Sequence, residues 1–370
     1  MTPAFSLYLD VVRFTAACLV YMFHANSRLL VQDVLPASQY GHSSVIVFFV
    51  LSGFVIAFIT ETKEGTWPEY TSSRISRVYS VVIPALLLTP LLDAVGRALH
   101  PALYNYPWDQ FALRLVGCAL QLNETWFVSI TYLSNVPYWS VAFEFWYYVL
   151  FGLVSFLPAR RGWWVALAVL ILLGPKIALL LPVWVAGVGL YRWRWLQSCS
   201  RDFSWTLVVI STLGIVFTHR WGVYESWTEF TQTWLGTQLF TELTFARSFL
   251  GDYLLCALVF MNFAGMRNVA DAYAPLLRPF ARPIRAVAAY TFTLYLLHQP
   301  FFLFWGAAIR GDSSGYAYWW AVTLLTAASV ALVGRFTENK RHTVRKFLNR
   351  HFATLFLRWP GRAFKPVPRA

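Results

Sequence analysis

Charged residues are unusually few in this sequence. Only 13% of its 370 residues are charged, whereas 58% are hydrophobic, and the mean hydropathy is +0.52. A soluble domain usually carries about a quarter charged residues. Because so few polar side chains cannot cover a water-facing surface, the composition excludes an ordinary soluble protein and predicts an integral membrane protein.

Cysteine is also scarce, and its spacing is uninformative. The four cysteines, Cys18, Cys118, Cys199 and Cys256, are far apart in the chain. No Cys-x-x-Cys pair or Cys/His cluster accompanies them, so the sequence indicates neither a disulfide framework nor a metal site. Internal repeats and low-complexity tracts are missing as well, which argues against a repeat architecture.

Long apolar runs, in contrast, occur throughout the chain. A hydrocarbon core about 30 Å thick needs about 20 helical residues to cross it, and ten runs are long enough. They cover approximately residues 6–26, 42–60, 78–98, 139–158, 162–180, 181–198, 203–219, 249–266, 286–309 and 317–336. Gly174-Pro175 and Pro182 interrupt the fifth and sixth runs, so their boundary stays open by several residues. We therefore predict an all-α polytopic protein with about ten spans.

The basic residues set the predicted topology. The net charge is +13, and Lys and Arg gather in alternate short loops and in the last 35 or so residues. Retention of positive charge on the cytoplasmic side explains this pattern better than nucleic-acid binding does. Both termini are then cytoplasmic, 99–138 is one external segment, and 111–122 is a helix at the membrane surface. The predicted domains are a transmembrane domain at 1–336 and a basic tail at 337–370, which rests against anionic lipid.

The first span carries three polar residues that are costly inside a membrane and are therefore functional candidates. Arg13 and His24 are eleven residues apart, which places them on one helix face, separated by about 16 Å. Asp10 can pair with Arg13 one turn away. A structural pair explains Asp10 and Arg13 without any catalytic role, and His24 could be a simple hydrogen-bonding anchor.

Two later spans carry further candidates. Ser140 and Tyr148 lie one turn on either side of Glu144, so their hydroxyls can orient its carboxylate. His298 directly precedes Gln299-Pro300, and the proline frees a backbone carbonyl one turn earlier. A structural role at this kink explains His298 as well as a functional role does.

Five motifs in chain order resemble those of membrane acyltransferase family 3, which contains O-antigen, Nod-factor and exopolysaccharide acetylases. They are Leu9-Asp10-x-x-Arg13 with His24, FFVLSGF at 48–54, Tyr70-x-x-x-Arg74-x-x-Arg77, Trp139-Ser140-x-x-x-Glu144-x-x-Tyr147, and Tyr290-x-x-x-x-Tyr295-Leu296-x-His298-x-Pro300. The resemblance runs from position 9 to about 340. Two positions depart from it: Ile46 replaces an acidic residue, with His42 nearby, and the proline of the Glu-x-Pro pattern at Glu338 is missing, since Asn339-Lys340 follow.

The resemblance implies transfer of an acyl group, expected to be acetyl, from cytoplasmic acyl-CoA to a hydroxyl of an extracytoplasmic or lipid-linked glycan, in a bacterial inner membrane. It requires no metal. The residues expected to be catalytic are His24, Arg13 and Glu144. The residues expected to bind the donor are Arg74, Arg77, Asp10, Ser140, Tyr147 and His298. The two arginines are also explained by positive charge on the cytoplasmic side alone.

Two other functions use the same features. A glycolipid transporter or flippase would employ intramembrane ionisable residues as a substrate or proton path, but the sequence has no inverted-repeat signal. A polysaccharide polymerase or ligase typically has a long external loop rich in Arg and His, whereas the external 220–248 stretch has only Arg220 and Arg247.

Overall fold

The computed structural model describes residues 1–29, 35, 37–309, 311 and 315–355. Its helices are α1 (Pro3–Leu29), α2 (Gly41–Lys63), α3 (Trp67–Leu99), α4 (Phe111–Ala119), α5 (Trp139–Phe156), α6 (Ala159–Leu173), α7 (Pro175–Arg192), α8 (Arg201–Arg220), α9 (Val223–Leu235), α10 (Thr237–Glu242), α11 (Phe249–Asn268), α12 (Ala270–Leu277), α13 (Ala281–Ala288), α14 (Thr291–Ala308), α15 (Tyr316–Phe336) and α16 (Arg341–Leu355). Over these ranges the only β-structure is an isolated bridge between Tyr132 and Asn135. The predicted all-α class is confirmed.

Seven helices of the described part are long and apolar enough to cross a membrane: α1, α2, α3, α5, α8, α11 and α15. An eighth candidate is the pair Ala270–Ala288 and Thr291–Ala308, which is bent by 51°. The predicted spans 162–180 and 181–198 correspond to α6 and α7, which are not among these candidates. The count of ten spans and the cytoplasmic termini stay predictions.

The boundary between α6 and α7 lies earlier than the predicted 180/181. Gly174 ends α6 with a positive φ of 91°, which favours glycine, and Pro175 begins α7. Pro182, the other candidate break, is tolerated inside α7. The helix therefore turns where a glycine and a proline adjoin, and a proline alone does not end it.

Helix α3 is longer than the predicted span 78–98, because it begins at Trp67. The Thr66 hydroxyl caps it by accepting a 3.5 Å hydrogen bond from the Glu69 backbone N–H, and a proline occupies its first turn. Arg74 and Arg77, which the loop assignment placed before the span, consequently lie two to three turns inside the helix. Their side chains are thus fixed by helical geometry.

Prolines inside two helices free carbonyl groups, and the predicted external segment satisfies them. Pro90 lacks the N–H that would bind the Leu86 carbonyl, and the Tyr132 hydroxyl donates to that oxygen at 2.6 Å. Pro300 frees the Leu296 carbonyl in the same way, and it accepts from Asn135 Nδ2 at 2.9 Å. The segment between α4 and α5 is therefore bonded to both helices.

A buried ion pair attaches the same external segment to α7. Lys176 Nζ lies 2.6 Å from Glu124 Oε2 and donates to the Val128 carbonyl at 2.6 Å, while Ser129 Oγ donates to Glu124 Oε1 at 2.6 Å. Burial raises the pKa of Glu124, and the Lys176 ammonium opposes that rise. The pair is enclosed and each partner makes a further hydrogen bond, which is the condition under which buried charges are tolerated.

Helix α2 occupies the centre and packs against α1, α7 and α11. Two glycines permit the crossing with α7: a Cβ at Gly53 would lie 2.0 Å from the Trp184 carbonyl oxygen, and one at Gly187 would lie 2.0 Å from that of Val50. Such close backbone approach at small residues is common in membrane helix packing. The crossing fixes where α2 presents its polar side chains.

Candidate functional site

Two cavities lie between the helices and share a wall. We name the first, of about 390 Å³, the arginine cavity; its lining includes Asp10, Arg13, Ser52, Arg74, Arg77, Ser140, Glu144, Tyr148, Tyr295, Glu338, Arg341 and Arg345. The second, of about 560 Å³, is the histidine cavity; its lining includes His24, His42, Val136, Trp139, Tyr224, Glu225, Thr228, Arg247 and Tyr295. Helix α1 passes both, since it presents Arg13 to one and His24 to the other.

Charged groups of opposite sign meet inside the arginine cavity. Arg13 Nη1 lies 3.8 Å from Asp10 Oδ1. The Arg13 guanidinium also interacts electrostatically with Glu144 and Glu338, and Arg77 interacts with the same two carboxylates. Charges in a low-dielectric interior need such partners. The arrangement thus leaves two arginines held in place by acidic groups on other helices.

The carboxylate of Glu144 is oriented by two hydroxyls. Ser52 Oγ donates to Glu144 Oε1 at 2.7 Å, and the Tyr148 hydroxyl donates to the same oxygen. The predicted bond from the hydroxyl one turn after the carboxylate, that of Tyr148, is therefore formed. Ser140, the expected hydroxyl one turn before it, is instead bonded to the Tyr295 hydroxyl at 2.5 Å. The serine oxygen has a partner on another helix, which sequence spacing alone does not reveal.

The mouth of the arginine cavity is basic and is partly formed by α16. Arg74 Nη2 donates to both carboxylate oxygens of Glu64, at 2.7 and 2.9 Å, and its guanidinium lies over the Tyr70 ring at 5.3 Å. Arg345 of α16 reaches the same carboxylate at 3.5 Å. Helix α16 packs against α3 and adds Arg341 to the lining. The first part of the predicted tail is therefore a wall of this cavity.

A pair of imidazoles lies beside the histidine cavity. Nδ1 of His298 lies 3.1 and 2.7 Å from the carbonyl oxygens of Leu294 and Tyr295, so this nitrogen carries the hydrogen. Nε2 of His298 is then an acceptor, and His24 Nδ1 donates to it at 3.3 Å. His24 Nδ1 also contacts the Val20 carbonyl at 3.0 Å. In the neutral pair, the lone pair of His24 is consequently on Nε2.

The wall between the two cavities centres on Tyr295. This residue and Val45 line both cavities. The Tyr295 hydroxyl is bonded to Ser140 Oγ, and Ser140 Oγ also donates to the Pro137 carbonyl at 3.3 Å. The Phe48 ring meets Tyr295 edge-on at 5.3 Å between centroids. We call Tyr295, Ser140, Phe48 and Val45 the septum.

The expected site residues are therefore divided between the two cavities. Most of them line the arginine cavity: Asp10, Arg13, Arg74, Arg77, Ser140 and Glu144. His24 lines the histidine cavity and is bonded to His298. The pairing of Glu144 with His24 that equal depth suggested is not formed: in the described structure the hydrogen bonds of Glu144 go to Ser52 and Tyr148.

Tyr147, an expected donor-binding residue, faces elsewhere. Its hydroxyl donates to the Ile177 carbonyl at 3.1 Å, and its ring packs against Trp184 at 5.9 Å. The neighbouring Tyr148 lines the arginine cavity in its place. Consecutive residues of an α-helix are rotated by about 100° around its axis, so Tyr147 and Tyr148 face different neighbours.

Several site residues were not singled out from the sequence. Ser52 is a neutral residue inside an apolar run, Glu64 follows a helix end, and Asp252 lies far from its partner His42 in the chain. Only the rarity of acidic residues in apolar runs could have drawn attention to Asp252. Within the described part of the chain, no cluster of histidine, cysteine, aspartate or glutamate is placed to hold a metal ion.

Comparisons with known proteins agree with the motifs. A family model described as an acyltransferase domain matches residues 6–334. The chain is similar to the acyltransferase MdmB of Streptomyces mycarofaciens, with 27% identity over 168 residues, covering 42% of this chain and 41% of that relative's length. No solved structure matches it. Because the family model covers nearly the whole chain, this protein belongs to the acyltransferase-domain family.

Proposed function

We propose that the protein transfers an acyl group, acetyl in the simplest case, from acyl-CoA in the arginine cavity to a hydroxyl of an extracytoplasmic or lipid-linked glycan in the histidine cavity. The observation that carries the proposal is the shared septum, since two cavities of different chemistry meet at Tyr295. In a bacterial inner membrane with the basic end of the chain in the cytoplasm, acyl-CoA reaches the protein from the cytoplasmic side and the glycan from the external side.

The donor fits the arginine cavity by charge. CoA carries several phosphate charges, and Lys63, Arg285, Arg341 and Arg345 surround the cavity mouth. Arginine binds phosphate through paired N–H donors. Arg74 is already held by two hydrogen bonds to Glu64, so we assign it mainly to shaping the mouth. Arg285, Arg341 and Arg345 are then the phosphate ligands. Arg13 and Arg77, which interact with Glu144 and Glu338, face the thioester end.

The chemistry needs one base. The lone pair on Nε2 of His24 suits removal of the proton from the acceptor hydroxyl, because His298 and Val20 fix the other nitrogen as a donor. In direct transfer, the hydroxyl oxygen bonds to the thioester carbonyl carbon, the carbon–sulfur bond breaks, and CoA leaves as a thiolate. His24 takes the proton of the hydroxyl and releases it to water in the histidine cavity, while the thiolate takes a proton from water on the donor side. A covalent acyl-histidine route uses the same residue as the nucleophile.

The test is label transfer by the purified chain in nanodiscs, supplied with radiolabelled acetyl-CoA and a membrane glycan extract. We expect label on the glycan, and its loss by at least about a hundredfold in His24→Ala and Arg13→Ala. His100→Ala is the matched control, because this histidine is exposed and does not line either cavity. Label that pauses on the protein would establish the covalent route.

A transporter would share the two cavities, and the same assay separates the two functions. Intact protein that neither moves label, hydrolyses acetyl-CoA nor binds it would contradict the proposal. In that case Arg13 and His24 would line a translocation path. In either case, the His24→Ala and Arg13→Ala proteins must retain the thermal unfolding midpoint of the wild type.

A further inference from the structure

A second histidine of the histidine cavity is held by a buried carboxylate. His42 Nε2, on the first turn of α2, lies 2.9 Å from Asp252 Oδ1 on α11. The Tyr224 hydroxyl, on α9, donates to the same oxygen at 3.0 Å. Asp252 is completely buried, and its Oδ2 has no hydrogen-bond partner among the described residues. The three side chains tie three helices together at one edge of the cavity.

This geometry fixes how His42 meets the cavity. A carboxylate accepts hydrogen bonds only, so Nε2 of His42 carries a hydrogen and Nδ1 is left for another partner. The His42 side chain is 29% exposed, in contrast to the 0% of Asp252. His42 and Tyr224 both line the histidine cavity, whereas Asp252 stands behind them. The arrangement is that of an oriented binding group with a buried support.

The cluster is separate from the imidazole pair assigned to the chemistry. His24 is bonded to His298 on α14, one turn from the septum residue Tyr295. His42 is surrounded instead by the predicted external stretch 220–248, which contributes Tyr224, Glu225, Thr228 and Arg247 to the same cavity. One base suffices for acyl transfer. A second oriented imidazole, on α2, is therefore available in the same cavity to hold the acceptor.

We propose that His42 binds the acceptor glycan through a hydroxyl group that is not acylated, and that Asp252 is a positioning residue for His42. Nδ1 forms a hydrogen bond with this hydroxyl, and the contact sets which neighbouring hydroxyl faces His24. The proposal rests on the proposed function, because it assumes that the histidine cavity receives the acceptor.

The test compares His42→Gln with His100→Gln, since His100 is exposed and lines neither cavity. Glutamine retains a donor at the position of Nε2, so the bond to Asp252 survives, but it offers nothing at Nδ1. We expect the acceptor KM, measured by titrating the membrane glycan extract, to rise about tenfold or more in His42→Gln, with kcat within about threefold of wild type. The acetyl-CoA KM and the unfolding midpoint should not change, and His100→Gln should behave as wild type.

Asp252→Asn provides the second variant, because it preserves size and removes the charge that orients the imidazole. It should raise the same acceptor KM and leave the acetyl-CoA KM alone. A fall in kcat at saturating glycan, an equal effect in His100→Gln, or unchanged kinetics in His42→Gln would each overturn the proposal. Failure of the proposed function is a different result, since wild-type protein would then transfer no label at all.

Discussion

At the scale of single residues, the arginine cavity is a balanced set of buried charges. Arg13 and Arg77 face Glu144 and Glu338, and each group sits on a different helix or segment. A buried charge that loses its partner is strongly destabilised. The position of each arginine therefore depends on carboxylates that are distant in the sequence, and catalysis should be sensitive to the charge of those carboxylates as well as to the arginines themselves.

Removing the charge of Glu144 tests this dependence. In Glu144→Gln the amide oxygen can still accept the bonds from Ser52 and Tyr148, but Arg13 and Arg77 lose one of their two shared counter-charges. We expect label transfer in a single turnover to slow by about tenfold to a hundredfold, while the protein stays folded. Tyr148→Phe, which removes the hydroxyl that bonds Glu144 and Ser52 but retains the charge of Glu144, should cost about threefold or less. Full activity of Glu144→Gln would contradict the account.

Truncating Tyr295 tests the septum. Tyr295→Ala joins the two cavities, so water from the histidine cavity should reach the thioester. We expect hydrolysis of acetyl-CoA without acceptor to rise about tenfold and glycan labelling to fall. Tyr295→Phe retains the ring and loses only the bond to Ser140, so its hydrolysis should remain near that of wild type. Equal hydrolysis in wild type and Tyr295→Ala would show that this ring does not separate the cavities.

At the scale of helices, the crossing of α2 and α7 has no room for a side chain. Gly187→Ala would place a methyl group 2.0 Å from the Val50 carbonyl, whereas a Cβ at Gly189, on the same helix, would contact nothing within 4 Å. We expect Gly187→Ala to lower the free energy of unfolding in detergent by about 1–3 kcal/mol. Gly189→Ala should be neutral or slightly stabilising, because alanine has the higher helix propensity. Equal unfolding midpoints for both variants would refute the packing argument.

The helices show what sequence patterns can and cannot specify. Apolar runs predicted most helices, since α2, α5, α8, α11 and α15 lie close to their predicted ranges. The start of α3 was predicted too late. The charged residues Arg74 and Arg77 limited the apolar run on its N-terminal side, whereas the helix itself extends back to the Thr66 cap. The break before α14 falls at Ala289-Tyr290, not at Pro300, since Asn135 satisfies the carbonyl that the proline frees.

The candidate site was predictable only in part, for a related reason. Ionisable residues stand out within apolar runs, and this contrast is enough to identify Arg13, His24 and Glu144 from the sequence alone. Their partners come from other helices: His298 is 274 residues from His24, and Asp252 is 210 residues from His42. Neither spacing nor composition specifies such pairings, because they depend on how the helices pack.

At the scale of the whole molecule, the two cavities differ in the residues that surround them. The basic residues of α16 stand at the mouth of the arginine cavity, and the net charge is +13. The histidine cavity instead opens among residues of the predicted external stretch. An anionic donor is attracted to a basic mouth. We therefore expect acyl-CoA and acceptor to approach from opposite faces of the membrane.

The most direct test is transfer across proteoliposomes in which the protein has a single orientation, established by protease access to the basic tail. Radiolabelled acetyl-CoA, whose charge prevents its crossing lipid, is added on one side and glycan acceptor is confined to the other. The account predicts labelled glycan only when acetyl-CoA is on the side of the tail. Transfer that requires both substrates on the same face would contradict it.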